Sequence, residues 1–145
     1  MQSFYVDTCI YLNLWKKETN LHNVPIWVYA KNFFEFVGKE NSTIFYSGFI
    51  LKEIMFLLST EDYLIKRDFF ESSSVFKKVS ISQEEYSLAI KIKKDIKSNC
   101  SLFDIIHLII AKKTSSILIT RDEELINLSN YFGIKSQKPE EIIGC

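Results

Sequence analysis

Short runs rich in β-branched and aromatic residues alternate along the chain with longer stretches whose apolar residues recur at helical spacing. "SFYV" (3–6), "STIFYS" (42–47), "VFKKVSI" (75–81) and "SILIT" (116–120) are too short for stable helices and read as strands. Lys77 and Lys78 place the third of these at a sheet edge. "IKSQ" (134–137), entered through Gly133, reads as a last short strand. Between them, residues 8–17 carry Ile10, Leu12, Leu14 and Trp15 and predict a first helix. A second, about 25–37, opens at Pro25 and stops at Gly38. Ser47 can cap "GFILKEIMFLLS", and "EDYLIKRDFFESS" follows as another helix. "SQEEYSLAIKIKKDIK" is amphipathic and begins with a capping box, Ser82 and Glu85. "SLFDIIHLIIAKKTS" has helical length and would be buried on most sides. "DEELINLSNYF" predicts a short helix, and "KPEEII" closes the chain.

Strands joined by helical connections imply an α/β fold: a mainly parallel central sheet of about five strands with helices on both faces. At 145 residues, with few Gly or Pro and no low-complexity segment, residues 1–145 form one domain. In such a sheet a ligand crevice forms at the carboxyl ends of the strands. Asp7 follows the first strand and Asp122 the fourth, so both fall at that end.

Composition narrows the picture. Hydrophobic residues make up 47% of the chain, which excludes a disordered protein. Lys and Arg balance Asp and Glu at 18 each, so nothing demands a polyanionic partner, although acids gathered in a cleft would leave a basic exterior. Cys9, Cys100 and Cys145 lack metal-ligand spacing and read as reduced thiols, which suggests a cytoplasmic protein. No signal peptide is visible, because Asp7 interrupts the only early apolar run, and no segment is apolar enough to span a membrane.

Four carboxylates each have an ordinary explanation. Asp7 and Asp122 suit helix N-caps; Asp104 suits the third position of a capping box begun by Ser101; Glu53 suits a solvated face. Together they are harder to dismiss. Glu53 and Asp104 are lone acids in helices otherwise apolar, and an isolated buried carboxylate is costly unless paired or metal-bound. If the four converge, they repel one another and raise each other's pKa. An oxygen-only set favours a hard ion, Mg²⁺ or Mn²⁺.

"YVDTCIYL", "YSGFILKEIMFLL", "SLFDIIHLIIAKK" and "ILITRDEELI", in this order, resemble the motifs of PIN-domain ribonucleases, most of all VapC-type toxins and small stand-alone PIN proteins. The likeness covers residues 4 to about 126 and implies a PIN-like, three-layer fold. It places the family's acidic quartet, catalytic and metal-binding, on Asp7, Glu53, Asp104 and Asp122. Thr8 and Thr120 fall on its hydroxyl positions, as hydrogen-bond donors that fix the carboxylates. Glu124 stands where many members have Asp and is a peripheral candidate. The implied activity is Mg²⁺- or Mn²⁺-dependent hydrolysis of RNA, leaving 5′-phosphate and 3′-hydroxyl ends. The implied partners are an antitoxin protein and a second copy of the chain, and the aromatic excess on the helix with Trp27, Tyr29, Phe33, Phe34 and Phe36 suits a partner surface.

Other readings remain open at this point. One is a non-catalytic PIN-like module that binds RNA or protein; another is a housekeeping PIN nuclease in RNA processing. A phosphatase or phosphoacceptor domain would need further early acids that "VDTCI" does not supply. His107, one helical turn past Asp104, could reach the site or satisfy a local bond; Cys9 reads as a packed thiol.

Overall fold

The computed structural model describes residues 2–143. Its elements run β1 (Ser3–Val6), α1 (Thr8–Trp15), α2 (Ile26–Lys39), β2 (Thr43–Tyr46), α3 (Gly48–Leu57) and α4 (Thr60–Ser72). They continue with β3 (Phe76–Lys78), α5 (Gln83–Asp95), α6 (Leu102–Lys113), β4 (Ile117–Ile119), α7 (Glu123–Tyr131), β5 (Ser136–Gln137) and α8 (Pro139–Ile143). The strands form one parallel sheet in the order β3-β2-β1-β4-β5. The α/β architecture and the five parallel strands follow the expectation from the sequence.

β1 is central and buried on both faces, so its side chains are apolar or internally paired. Alternation sends neighbours to opposite faces. Phe4 meets Phe33 of α2, ring centroids 5.3 Å apart, whereas Tyr5 meets His107 of α6 at 5.4 Å. Phe70, the one buried residue of α4, anchors that helix to the sheet edge. It packs against Tyr11, Trp15, Tyr46 and Phe76 with centroids 4.9–6.2 Å away. A fully buried large apolar side chain of this kind contributes about 1.5–3 kcal/mol.

Several boundaries shift. α1 stops at Trp15 rather than 17, because Lys17 adopts a left-handed φ of 49°. α2 passes through Gly38 and ends at Lys39; the left-handed turn falls instead on Asn41, φ 55°, a residue that tolerates it. β3 keeps only Phe76–Lys78 of the longer expected run, as befits a strand with one neighbour. The caps at Ser47, Ser82 and Ser101 form as expected.

The aromatics of α2 mostly face inward: Phe33 is buried, and Phe34 and Phe36 pack on the core. Large exposed apolar residues gather instead on α3 and α4, at Met55, Phe56, Leu57, Leu64, Ile65 and Phe69. Among the described residues no helix is long and apolar enough to cross a membrane. Cys9 and Cys100 are free thiols; Cys145 lies outside the described residues.

Candidate active site

From β1 the chain moves outward through β2 and β3, then crosses back to lay β4 on the other side of β1. Connections therefore diverge at the carboxyl ends of β1 and β4, the switch point where a crevice opens. Asp7 is the first residue past β1, and its N–H still donates to Ile119 O of β4 at 2.9 Å. Thr120 and Asp122 follow β4 directly. Glu53 enters from α3, and Asp104 from the first turn of α6.

Asp7 holds the N-cap position of α1, with extended backbone, but its side chain makes no capping bond. The cap expected from the sequence is present in position only. Its Oδ2 is taken by donors that lie elsewhere: Thr120 Oγ1 at 2.8 Å and Cys9 Sγ at 3.2 Å. Burial, then the charge of Asp7, pushes the Cys9 thiol well up, so it donates and is no nucleophile.

Glu53 is not on a solvated face. Its Oε1 accepts from Thr8 Oγ1 at 3.1 Å and pairs with His107 Nε2 at 2.6 Å. His107 is wholly buried, and its Nδ1 lies 2.7 Å from Tyr5 Oη, itself 2.8 Å from Ser47 Oγ. Asp104 closes the capping box of α6: Ser101 N–H donates to its Oδ2 at 3.0 Å. Asp122 caps α7, its Oδ1 accepting from Glu124 N at 3.0 Å and Leu125 N at 3.3 Å. Thr120 joins the two strand ends, since its Oγ1 both donates to Asp7 and accepts from Asp122 N at 3.1 Å. Glu124 is engaged at the rim, accepting from Asn99 Nδ2 at 3.0 Å.

One rule covers all four acids. Each commits one carboxylate oxygen to these bonds, and the bonds leave its other oxygen aside. The charge of Asp7 reaches Asp104. Burial raises the pKa of Asp104, the Ser101 N–H opposes this, and the charge of Asp7 adds to the rise. Burial also raises Cys100, with Asp104, Asp122 and Glu124 contributing. Among the described residues, no three acidic, histidine or cysteine side chains close around one point as a ready-made cage. An open set of carboxylates with one oxygen each to spare suits a hard divalent ion that binds few carboxylates and keeps several waters. The donor atoms are oxygens, the kind Mg²⁺ or Mn²⁺ takes, although no three of these side chains are grouped as a site among the described residues.

Tyr5, Ser47 and Cys9 were not foreseen as parts of this network. A hydroxyl two residues before Asp7, in an otherwise apolar strand, was the available signal for Tyr5. Arg121 was also missed. It pairs with Glu140 of α8 at 2.8 Å and donates to Asn13 at 3.1 Å, which ties down the segment between Thr120 and Asp122.

The fold is a parallel α/β domain with Asp7, Thr120 and Asp122 just past the carboxyl ends of β1 and β4, its switch point. A family model described as PIN domain matches residues 4–130, and the chain belongs to the PIN domain family, whose members are generally nucleases. Among solved structures, it is similar to VapBC2 from Rickettsia felis bound to a DNA fragment from their promoter. That match has 18% identity, covers 94% of this chain and 98% of that one, and has a TM-score of 0.63. It is similar to FitAcB from Neisseria gonorrhoeae at 14% identity, with 94% and 97% covered and a TM-score of 0.60. A toxin-antitoxin complex from Klebsiella pneumoniae matches at 19% identity, with 96% and 98% covered and a TM-score of 0.58. At these identities the likeness is one of fold. No curated protein matches the chain.

Proposed function

We propose that the chain is a Mg²⁺- or Mn²⁺-dependent endoribonuclease, and the toxin of a toxin–antitoxin pair. The observation that carries this reading is the shared rule of the four acids at the switch point of a PIN domain: one oxygen of each is held, one is left for a ligand.

Asp7, Glu53 and Asp104 would hold the ion, and Asp122 would hold a second or orient the attacking water. When bound, the ion supplies Lewis acidity, making water a nucleophile near neutral pH and stabilising the leaving 3′ oxygen. Thr120 and Cys9 keep Asp7 Oδ2 engaged, and Thr8 and His107 do the same for Glu53 Oε1. A groove of about 570 Å³ next to α7 runs from Glu124 and Asn99 to Asn127 and Tyr131, with Lys97 and Asp95 on its wall. Its exposed aromatic ring and side-chain amides suit stacking and hydrogen bonding with unpaired bases, while its two acids against one lysine give no electrostatic pull on a phosphate backbone. No attack by the 2′-hydroxyl is needed, so selectivity for RNA rests on such contacts.

The apolar surface of α3 and α4 supports the partners in this reading, an antitoxin and a second copy of the chain. One of the similar structures is, by its description, a toxin-antitoxin complex. Copurification with the product of a small upstream reading frame that silences the nuclease tests the antitoxin; a soluble, active, lone monomer argues against both partners.

The test of activity is cleavage of RNA in Mg²⁺ or Mn²⁺, stopped by EDTA, leaving 5′-phosphate and 3′-hydroxyl ends. Asp7→Asn and Asp104→Asn should abolish it with the circular dichroism spectrum intact. Wild type and variants equally inert across many RNAs would favour a binding module.

A further inference from the structure

We infer that Tyr5 and His107 are positioning residues: a one-way hydrogen-bond chain from Ser47 through them holds Glu53 by Oε1, so that Oε2 is the oxygen offered to the crevice. What Oε2 does there rests on the proposed function; the direction of the chain does not.

The direction follows from donors and acceptors. An ionised carboxylate only accepts, so at 2.6 Å from Glu53 Oε1 the His107 Nε2 must carry a proton. The inferred chain has a neutral ring: with that proton placed, Nδ1 is a lone pair, and its partner at 2.7 Å, Tyr5 Oη, donates to it. Tyr5 Oη then accepts from Ser47 Oγ at 2.8 Å, while Ser47 Oγ accepts from Ile50 N at 3.4 Å. Every proton in the chain is used once. In a neutral ring the opposite sense would set two lone pairs against each other at 2.6 Å.

The chain is also rigid. Tyr5 and His107 are wholly buried, and their rings pack 5.4 Å apart. Thr8 Oγ1 donates to the same Oε1 at 3.1 Å, so one oxygen of Glu53 carries both bonds. A carboxylate pinned this way cannot turn its edge into the crevice to chelate through both oxygens; it presents one. That is the mode an ion with octahedral demands and several retained waters accepts. Ser47 and Glu53 sit on opposite sides of this relay although both belong to the α3 region, so the relay also fixes how the first turns of α3 lie on β1 and α6.

Two readouts test the inference without RNA. In the metal-free, ¹⁵N-labelled chain at about pH 8, long-range ¹H–¹⁵N NMR should show His107 as the Nε2–H tautomer. An Nδ1–H tautomer or a doubly protonated ring would overturn the stated direction. Calorimetric titration with Mn²⁺ should then show about a 10–100-fold loss of affinity in His107→Leu. Tyr5→Phe, which removes one oxygen atom, should lose roughly 3–10-fold. His107→Gln, whose amide can still donate to Glu53, should recover at least half of the loss on a logarithmic scale. Unchanged affinity in folded Tyr5→Phe sinks the inference even if His107→Leu fails to fold. Wild type that binds Mn²⁺ with this dependence and cleaves no RNA keeps the inference and removes the nuclease. Wild type that cleaves RNA, with Mn²⁺ affinity unmoved by either variant, does the reverse. A wild type that binds no Mn²⁺ overturns both.

Discussion

The two helix-capping acids and the two acids held by distant side chains do the same geometric job by different means. Asp104 and Asp122 are fixed by backbone N–H groups within three residues of themselves. Asp7 and Glu53 are fixed mainly by side chains brought from β1, α1, α6 and the end of β4. In the first pair, orienting the carboxylate and starting the helix are one act, so a cap and a ligand need not compete. In the second pair the orientation depends on the tertiary fold being complete. Local fixing is cheap in sequence and robust; distant fixing couples the site to the core and lets a buried substitution such as one at Tyr5 reach the crevice.

Loss of an acid itself should strike the site hardest. Asp7→Asn keeps the shape but replaces a charged oxygen, and in RNA cleavage assays with Mn²⁺ it should cost on the order of 10³-fold in kcat, several kcal/mol of transition-state stabilisation. Retained cleavage within about tenfold would remove Asp7 from the centre of the reading.

Thr120→Val sharpens the contrast, because Thr120 touches the carboxylate of one pair and the backbone of a member of the other. The methyl replaces an Oγ1 that donates to Asp7 and accepts from Asp122 N. Mn²⁺ affinity should fall about 10–100-fold while the fold persists. Thr8→Val, which frees only one of two donors on Glu53 Oε1, should lose less by the same titration. Equal losses would mean that the hydrogen-bond network does not distinguish the two threonines.

How much of this could be read from the sequence follows the same division. Ser82 with Glu85, Ser101 with Asp104, and Asp122 before Glu123 and Glu124 are patterns within a few residues, and the bonds they foretell are present. The strands were legible because the sheet buries them, and parallel order followed from the helices between them. Asp7 has a capping pattern too, yet Thr120, which is 113 residues away, takes its oxygen. No local rule could choose between those partners; only the adjacency of β1 and β4 does. Tyr5 and His107, 102 residues apart, meet for the same reason. Gly38 misled in the other direction: a glycine inside a helix costs only about 1 kcal/mol, and the packing of α2 outweighs that.

A cap substitution should act on stability more than on the site. Ser101→Ala removes the acceptor for Asp104 N–H at 3.2 Å. It should cost about 1 kcal/mol in urea denaturation. Mn²⁺ affinity should change less than in Thr120→Val, since Ser101 N–H still holds Asp104 Oδ2. A larger effect on affinity than on stability would erase the distinction between the pairs.

The smallest expected effect concerns Asp104 alone, and its sign depends on pH. Burial first, and the charge of Asp7 with it, raise the folded pKa of Asp104 above its unfolded value. The native chain therefore binds this proton more tightly than the unfolded chain does. The stability this lends is fully present below the unfolded pKa, about 3.9, and is lost as pH rises through the folded value. At neutral pH, without metal, an ionised Asp104 facing Asp7 weakens the fold. The amide introduced by Asp104→Asn cannot ionise, and its oxygen can still accept from Ser101 N–H. Asp104→Asn should thus melt above wild type at about pH 7, by a margin kept small by the partial exposure of the group to solvent. Below about pH 3.9 the gap should close. Mg²⁺ at about 100 times its Kd should add about 2.7 kcal/mol to wild type and less to the variant, reversing their order. If the variant melts no higher than wild type at neutral pH without metal, Asp7 and Asp104 do not share a repulsion that a cation could relieve.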